Sequence, residues 1–173
     1  MSKKLALGVA VACLLAFGGP ARADTSVGGG IAYGDGGTAA YSLNVRQSYE
    51  PLFTSEILEL QPFADLSVHA WNDDETVWGA SLAPGLRLTL FTTAPFQPYL
   101  AGSVGGTVVS DEKFDDRDLG SHALFRTQGA VGVRFGESLN HRVQGEYTNY
   151  STWGLTDTDD GYNTYGVTYG YSF

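Results

Sequence analysis

Histidine and cysteine, the side chains best suited to proton transfer and nucleophilic attack near neutral pH, are scarce in this chain. His69, His122 and His141 are the only histidines, and Cys13 is the only cysteine. A serine hydroxyl attacks an ester only when a neighbouring base accepts its proton, so these three imidazoles bound the options. Asp111-Glu112 with Asp115-Asp116, and Asp157 with Asp159-Asp160, offer carboxylate oxygens that suit a divalent cation. Solvated loops are the favoured reading of both runs, and no metal site is expected. Gly102-x-x-Gly105-Gly106 lies in a strand pattern and lacks a following helix, so it is not a phosphate-binding loop and no cofactor is expected. Trp71, Trp78 and Trp153 fit an interfacial girdle better than a carbohydrate platform.

The elements that must position these residues are strands. Tyr165, Val167, Tyr169, Tyr171 and Phe173 alternate with Gly166, Thr168, Gly170 and Ser172. This is period two, with a mostly aromatic face and a face of small residues. A soluble sandwich rarely exposes such a stripe, whereas a strand facing lipid carries it naturally. A final strand closing on Phe also resembles the assembly signal of outer-membrane proteins. Similar segments cover approximately 25–34, 37–48, 54–71, 76–91, 97–110, 121–136, 141–153 and 162–173. Turn signals such as Asp35-Gly36-Gly37 and Ala94-Pro95 separate them. About 9 to 11 residues cross a bilayer as a tilted strand. The expected fold is therefore all-β, an eight-stranded antiparallel transmembrane β-barrel. So narrow a barrel fills with side chains and leaves little room for a channel. Gln61, Asp65, Arg87, Arg134, Arg142, Gln144 and Glu146 are the expected interior polar network. Gly28-Gly29-Gly30 is expected to let strands pack closely.

The first 23 residues read as an export signal. Lys3 and Lys4 precede an apolar stretch from Leu5 to Phe17, and Ala21-Arg22-Ala23 is an A-x-A cleavage site. The expected organisation is a signal peptide over 1–23 and one barrel domain over 24–173, in the outer membrane of a Gram-negative cell. Cleavage removes Cys13, so disulfides are excluded from the mature chain. It also removes Lys3, Lys4 and Arg22, leaving 7 basic residues against 19 acidic ones and a net charge of −12. That balance excludes nucleic acid as a partner, because phosphates need a basic surface.

From about Pro98 onward the chain resembles the outer-membrane lipid A 3-O-deacylases of the PagL type. The matching segments are Pro98-Tyr99-Leu100-Ala101-Gly102, Asp118-Leu119-Gly120-Ser121 with Gly129–Phe135, His141–Leu155 and Asp160–Tyr169. Two stretches carry most weight. Asn149-Tyr150-Ser151-Thr152-Trp153-Gly154-Leu155 falls on a family pattern close to His-Tyr-Ser-Asn-Ala-Gly-Leu. Asp160-Gly161-Tyr162-Asn163-Thr164-Tyr165 falls on Asp-Gly-x-Glu-Ser-Tyr. The first half of the chain resembles the family only in layout.

The resemblance implies hydrolysis of the ester-linked acyl chain at the 3-position of lipid A by a Ser, His and Glu triad. Ser151 falls on the nucleophile, Asn149 on the His base and Asn163 on the Glu that orients it. Strand parity agrees with this alignment. Val143, Gly145, Tyr147, Asn149 and Ser151 share one face of the seventh segment, and Asn163 shares the parity of the aromatic stripe. An alignment that puts Glu146 and Thr148 on the His and Ser positions would turn Arg142 and Gln144 toward lipid, and is rejected. An amide does not take a proton near neutral pH, so Asn149 cannot serve as the base. His141 lies on the same strand eight residues from Asn149, roughly 26 Å away at strand rise. His69 and His122 are expected to be interior or rim polar residues. The favoured reading is a catalytically impaired relative that still associates with lipid A, lipopolysaccharide and outer-membrane lipids. Its alternatives are an active deacylase using Ser151 with a rearranged base, and a structural or adhesin-like barrel. A homodimer is left open.

Overall fold

The computed structural model describes residues 24–72, 76–114, 117–154 and 161–173. The assigned signal peptide, most of Asn72–Glu75, Asp115-Asp116 and Thr156–Asp160 lie outside the described residues. Eight long strands form the barrel: β1 Thr25–Gly34, β2 Ala39–Ser48, β3 Leu58–Asn72, β4 Thr76–Leu90, β5 Gln97–Val109, β6 Ala123–Phe135, β7 His141–Ser151 and β8 Tyr162–Ser172. Each pairs antiparallel with its sequence neighbour. β1 closes the cylinder on β8, with Val27 opposite Tyr171 and Tyr33 opposite Tyr165. Closure leaves no open sheet edge, which is what lets strands sit in hydrocarbon.

Four boundaries differ from the sequence reading by two residues or more, three of them for a visible local reason. β3 starts at Leu58 rather than residue 54. A tight turn there has Ser55 N donating to Leu58 O at 2.8 Å, which folds Phe53–Thr54 back onto Glu59 and Leu60. β2 starts at Ala39 rather than 37, because Gly36 and Gly37 take φ of 96° and 94° in the turn from β1. β6 starts at Ala123 instead of 121. β7 stops at Ser151 because Trp153 and Gly154 turn left-handed, with φ of 53° and 74°. Between β5 and β6, Lys113–Phe114 pairs with Arg117–Asp118 in a short ribbon.

Alternation sorts the side chains. Val27, Ile31, Tyr33, Leu43, Val131, Tyr165, Val167 and Tyr169 are exposed on the outer face, where lipid replaces water. The inner face is polar. Asp65 Oδ2 accepts from Asn44 Nδ2, Arg46 Nε and Arg46 Nη2, each at 3.0 Å. Gln144 Oε1 accepts from Tyr99 OH at 2.9 Å, and Gln144 Nε2 donates to Glu146 Oε2 at 2.6 Å. Arg87 donates to Gln61 Oε1 and lies 3.9 Å from Glu59. All seven residues assigned to the interior from sequence have inward parity. Arg46, Arg126 and His69 join them there. Gly28 and Gly30 also point inward, where added Cβ atoms would lie 2.7 Å from Tyr169 O and 3.0 Å from Val167 O. The close approach expected of that glycine run is real at these two positions. A cavity of about 20 Å³ lined by His69, Arg126 and Glu146 has room for a water or two, far short of a channel.

One assignment is corrected. Trp78 and Trp153 are exposed on the outer face, but Trp71 is 1% exposed inside the barrel. It shares parity with Gln61, Asp65 and His69, so its ring must point inward. It stacks on His69 at 5.2 Å and meets Tyr150 edge-on at 5.4 Å. With Ala40, Val77, Val109, Leu119, Leu124, Tyr150 and Tyr162 it forms an apolar plug beneath one rim.

Candidate functional site

That plug fixes the ends of β7 and β8. Tyr150 and Tyr162 sit opposite each other and point inward, 3% and 0% exposed. Their neighbours in sequence must then point outward at the same height. Asn149 and Ser151 on β7 and Asn163 on β8 do so, each half-buried. Asn149 and Asn163 are direct cross-strand partners, and Ser151 stands opposite Phe125 of β6. The three residues singled out from the sequence are therefore brought to one outer patch at one rim.

The hydrogen bonds of the patch run in a chain. Asn149 Nδ2 donates to Asn163 Oδ1 at 2.8 Å, and Tyr147 OH donates to the same oxygen at 2.7 Å. Asn163 Nδ2 donates to Asp35 Oδ2 at 2.7 Å, while Asp35 N donates to Asn163 O at 3.0 Å. Asp35 reaches the patch from the β1–β2 turn, a neighbour only because the barrel closes. Sequence reasoning used Asp35 as turn punctuation and missed it as a member of the site. The turn and the closed barrel were legible, but the β1–β8 register that sets Asp35 against Asn163 was not.

An aromatic shelf flanks Ser151. Phe125 and Trp153 stack with ring centres 4.5 Å apart and planes 12° from parallel. On the other side Tyr147 and Tyr165 lie 5.1 Å apart. Polar amides and a hydroxyl between aromatic walls, on the lipid side of a rim, suit a ligand with a polar linkage and an acyl chain.

The histidines stand elsewhere. His69 Nε2 is shared between Ser67 Oγ at 2.9 Å and Ser81 Oγ at 3.1 Å inside the barrel. His141 lies at the opposite end, with Nδ1 2.7 Å from Tyr169 OH and its ring stacked on Phe135. His122 is exposed in the segment before β6. Among the described residues, none of the three has a hydrogen bond to Ser151 or Asn149. Glu146 and Thr148, the rejected alternative, have inward parity, and Thr148 is 2% exposed. Among the described residues no cluster of three or more His, Cys, Asp or Glu could hold a metal ion.

A family model described as lipid A 3-O-deacylase (PagL) matches residues 22–172, the whole barrel. The chain belongs to the lipid A 3-O-deacylase (PagL) family. Its barrel places it in the outer membrane of Gram-negative bacteria. Lipid A deacylase PagL of Bordetella bronchiseptica is 30% identical over 97 residues, 56% of this chain and 51% of that protein. The chain thus spans about half the length of the curated relative it matches. The crystal structure of the outer membrane enzyme PagL superposes with a TM-score of 0.78 at 20% identity, covering 84% of this chain and 98% of that one. Neisserial surface protein A gives a TM-score of 0.57 at 12% identity, covering 87% and 97%. At these identities the two structures speak to the fold: an eight-stranded antiparallel barrel of the PagL kind.

Proposed function

We propose that this PagL-family barrel engages lipid A or lipopolysaccharide at its outer rim patch without hydrolysing the acyl ester. Ser151 occupies the nucleophile position, and Asn149 and Asn163 occupy the base and orienting positions. The observation that carries the reading is the 2.8 Å bond from Asn149 Nδ2 to Asn163 Oδ1. Two amides bonded to each other stand where proton transfer needs an imidazole and a carboxylate. Removing a triad member costs several orders of magnitude in rate, about 10⁴ to 10⁶ in serine hydrolases. The aromatic shelf beside Ser151 still offers an acyl chain a surface, so binding does not depend on the lost chemistry. Residues 1–23 act as a cleaved export signal, and the mature barrel begins at Asp24.

Mass spectrometry of lipid A from cells expressing the full chain, beside cells expressing Ser151→Ala, tests this. The expected result is unchanged lipid A in both, with the barrel confirmed in the outer membrane by its shift on an unboiled gel. A lipid A species short of one 3-hydroxyacyl group that disappears in Ser151→Ala would overturn the impairment.

A further inference from the structure

The hydrogen-bond chain at the patch has a direction, and one residue outside the aligned set imposes it. A carboxylate can only accept, so the Asn163 side chain must turn its NH₂ toward Asp35. Its Oδ1 then faces the other way and accepts from Tyr147 OH and Asn149 Nδ2. Asn149 in turn commits its amide nitrogen to Asn163, which leaves its Oδ1 as an acceptor on the outward face it shares with Ser151. Asp35 is itself held in place. Its backbone N–H is bonded to Asn163 O, and the turn behind it is tied by Gly37 N to Gly34 O at 3.0 Å and Gly34 N to Thr38 O at 2.9 Å.

We propose that Asp35 is a positioning residue of the patch, whose carboxylate sets the amide orientation of Asn163 and, through Asn163, that of Asn149. At position 163, where the resemblance implies a carboxylate, this chain has an amide bonded to a carboxylate on the adjoining turn. A corollary follows for restoring a triad, and it rests on the assignment of Ser151, Asn149 and Asn163 given above. Asn163→Glu alone sets a second carboxylate within hydrogen-bond reach of Asp35. Two carboxylates in one site cannot both ionise at their ordinary pKa, so the restored orienting group is weakened unless Asp35 is also neutralised.

The test uses the full mature barrel, refolded in detergent, with ¹⁵N-labelled asparagine. Side-chain amide resonances are assigned by their loss in Asn149→Ser and Asn163→Ser. In Asp35→Ala, which removes the acceptor, the amide resonances of both Asn163 and Asn149 shift, although the hydrogen bond of Asn149 runs to Asn163 and not to residue 35. Asp35→Glu, which keeps a carboxylate, brings the Asn149 resonance back toward its original position. An Asn149 amide unmoved by Asp35→Ala in a barrel that still migrates as folded overturns the proposal. Asp35→Gly replaces Asp35→Ala if the latter does not fold. A second arm compares ester hydrolysis by Asn149→His/Asn163→Glu with and without Asp35→Asn. The variant lacking the Asp35 charge is faster by about tenfold, the worth of one pKa unit, and equal rates count against the proposal. If neither variant hydrolyses while the resonances shift as stated, the assignment of Ser151 fails and the role of Asp35 stands.

Discussion

Asp65→Asn is the substitution whose cost follows most directly from the interior geometry. Asp65 is 1% exposed, and one of its oxygens accepts three donors at 3.0 Å: Arg46 Nε, Arg46 Nη2 and Asn44 Nδ2. The Arg46 guanidinium, on a residue 2% exposed, retains only a long 3.5 Å contact to Gln144 Oε1 and the face of the Phe63 ring at 4.2 Å. Neutralising Asp65 strips a buried cation of its counter-charge in an interior that also holds Arg126 and Arg142. Breaking one side of such a pair costs about 3–5 kcal/mol. With an m-value of about 1–3 kcal/mol per molar urea, the unfolding midpoint falls by at least about 1 M. Arg46→Met alone orphans Asp65 in the same way. Asp65→Asn/Arg46→Met removes both charges and recovers most of the loss, because a buried pair exchanged for matched neutral groups is close to neutral. The assay is urea unfolding of the barrel in lipid vesicles, followed by tryptophan fluorescence and by gel mobility without boiling. A single variant within about 1 kcal/mol of the parent, or a double variant no better than the singles, would refute the reasoning.

Other outcomes follow from the two sides of the wall. Trp71→Ala opens a void in the plug and costs about 3–5 kcal/mol, while Trp78→Phe on the outer face stays within about 0.5 kcal/mol; urea midpoints separate them. Brominated acyl chains quench single-tryptophan barrels that keep Trp78 or Trp153 and leave one that keeps Trp71 bright. Quenching of Trp71 equal to that of Trp153 would contradict its place inside the barrel. Arg142 has three guanidinium nitrogens buried without a protein partner, so Arg142→Met is neutral or stabilising by up to about 2 kcal/mol, read as an unchanged or higher midpoint.

The strands were legible because their side-chain period is two and a barrel wall divides two unlike environments. Tyr165, Val167, Tyr169 and Tyr171 against Gly166, Thr168 and Gly170 can face only one way when lipid lies on one side. The same parity sent Asp65, Arg87, Arg142 and Gln144 inward and put Asn149, Ser151 and Asn163 on the lipid face. It also contained the answer for Trp71, two residues from His69 and inward with it. Residue type suggested a girdle there, and position decided otherwise. Strand ends were harder to read, because turns such as Ser55–Leu58 and Trp153-Gly154 are set by hydrogen bonds and left-handed dihedrals that composition hints at weakly.

What the sequence determined by itself was local and periodic: which segments are strands, which face of each meets lipid, and that amides stand at positions 149 and 163 with the same strand parity as Ser151. Tertiary structure decided what depends on closure. Sealing β1 against β8 carries Asp35 across 128 positions of sequence to Asn163, and wrapping the sheet puts Arg46 against Asp65 and Trp71 against Tyr150. Such contacts are fixed by strand order, register and the circumference of the cylinder. No period along a single chain encodes them, because each strand obeys its own alternation whichever neighbour it finally meets.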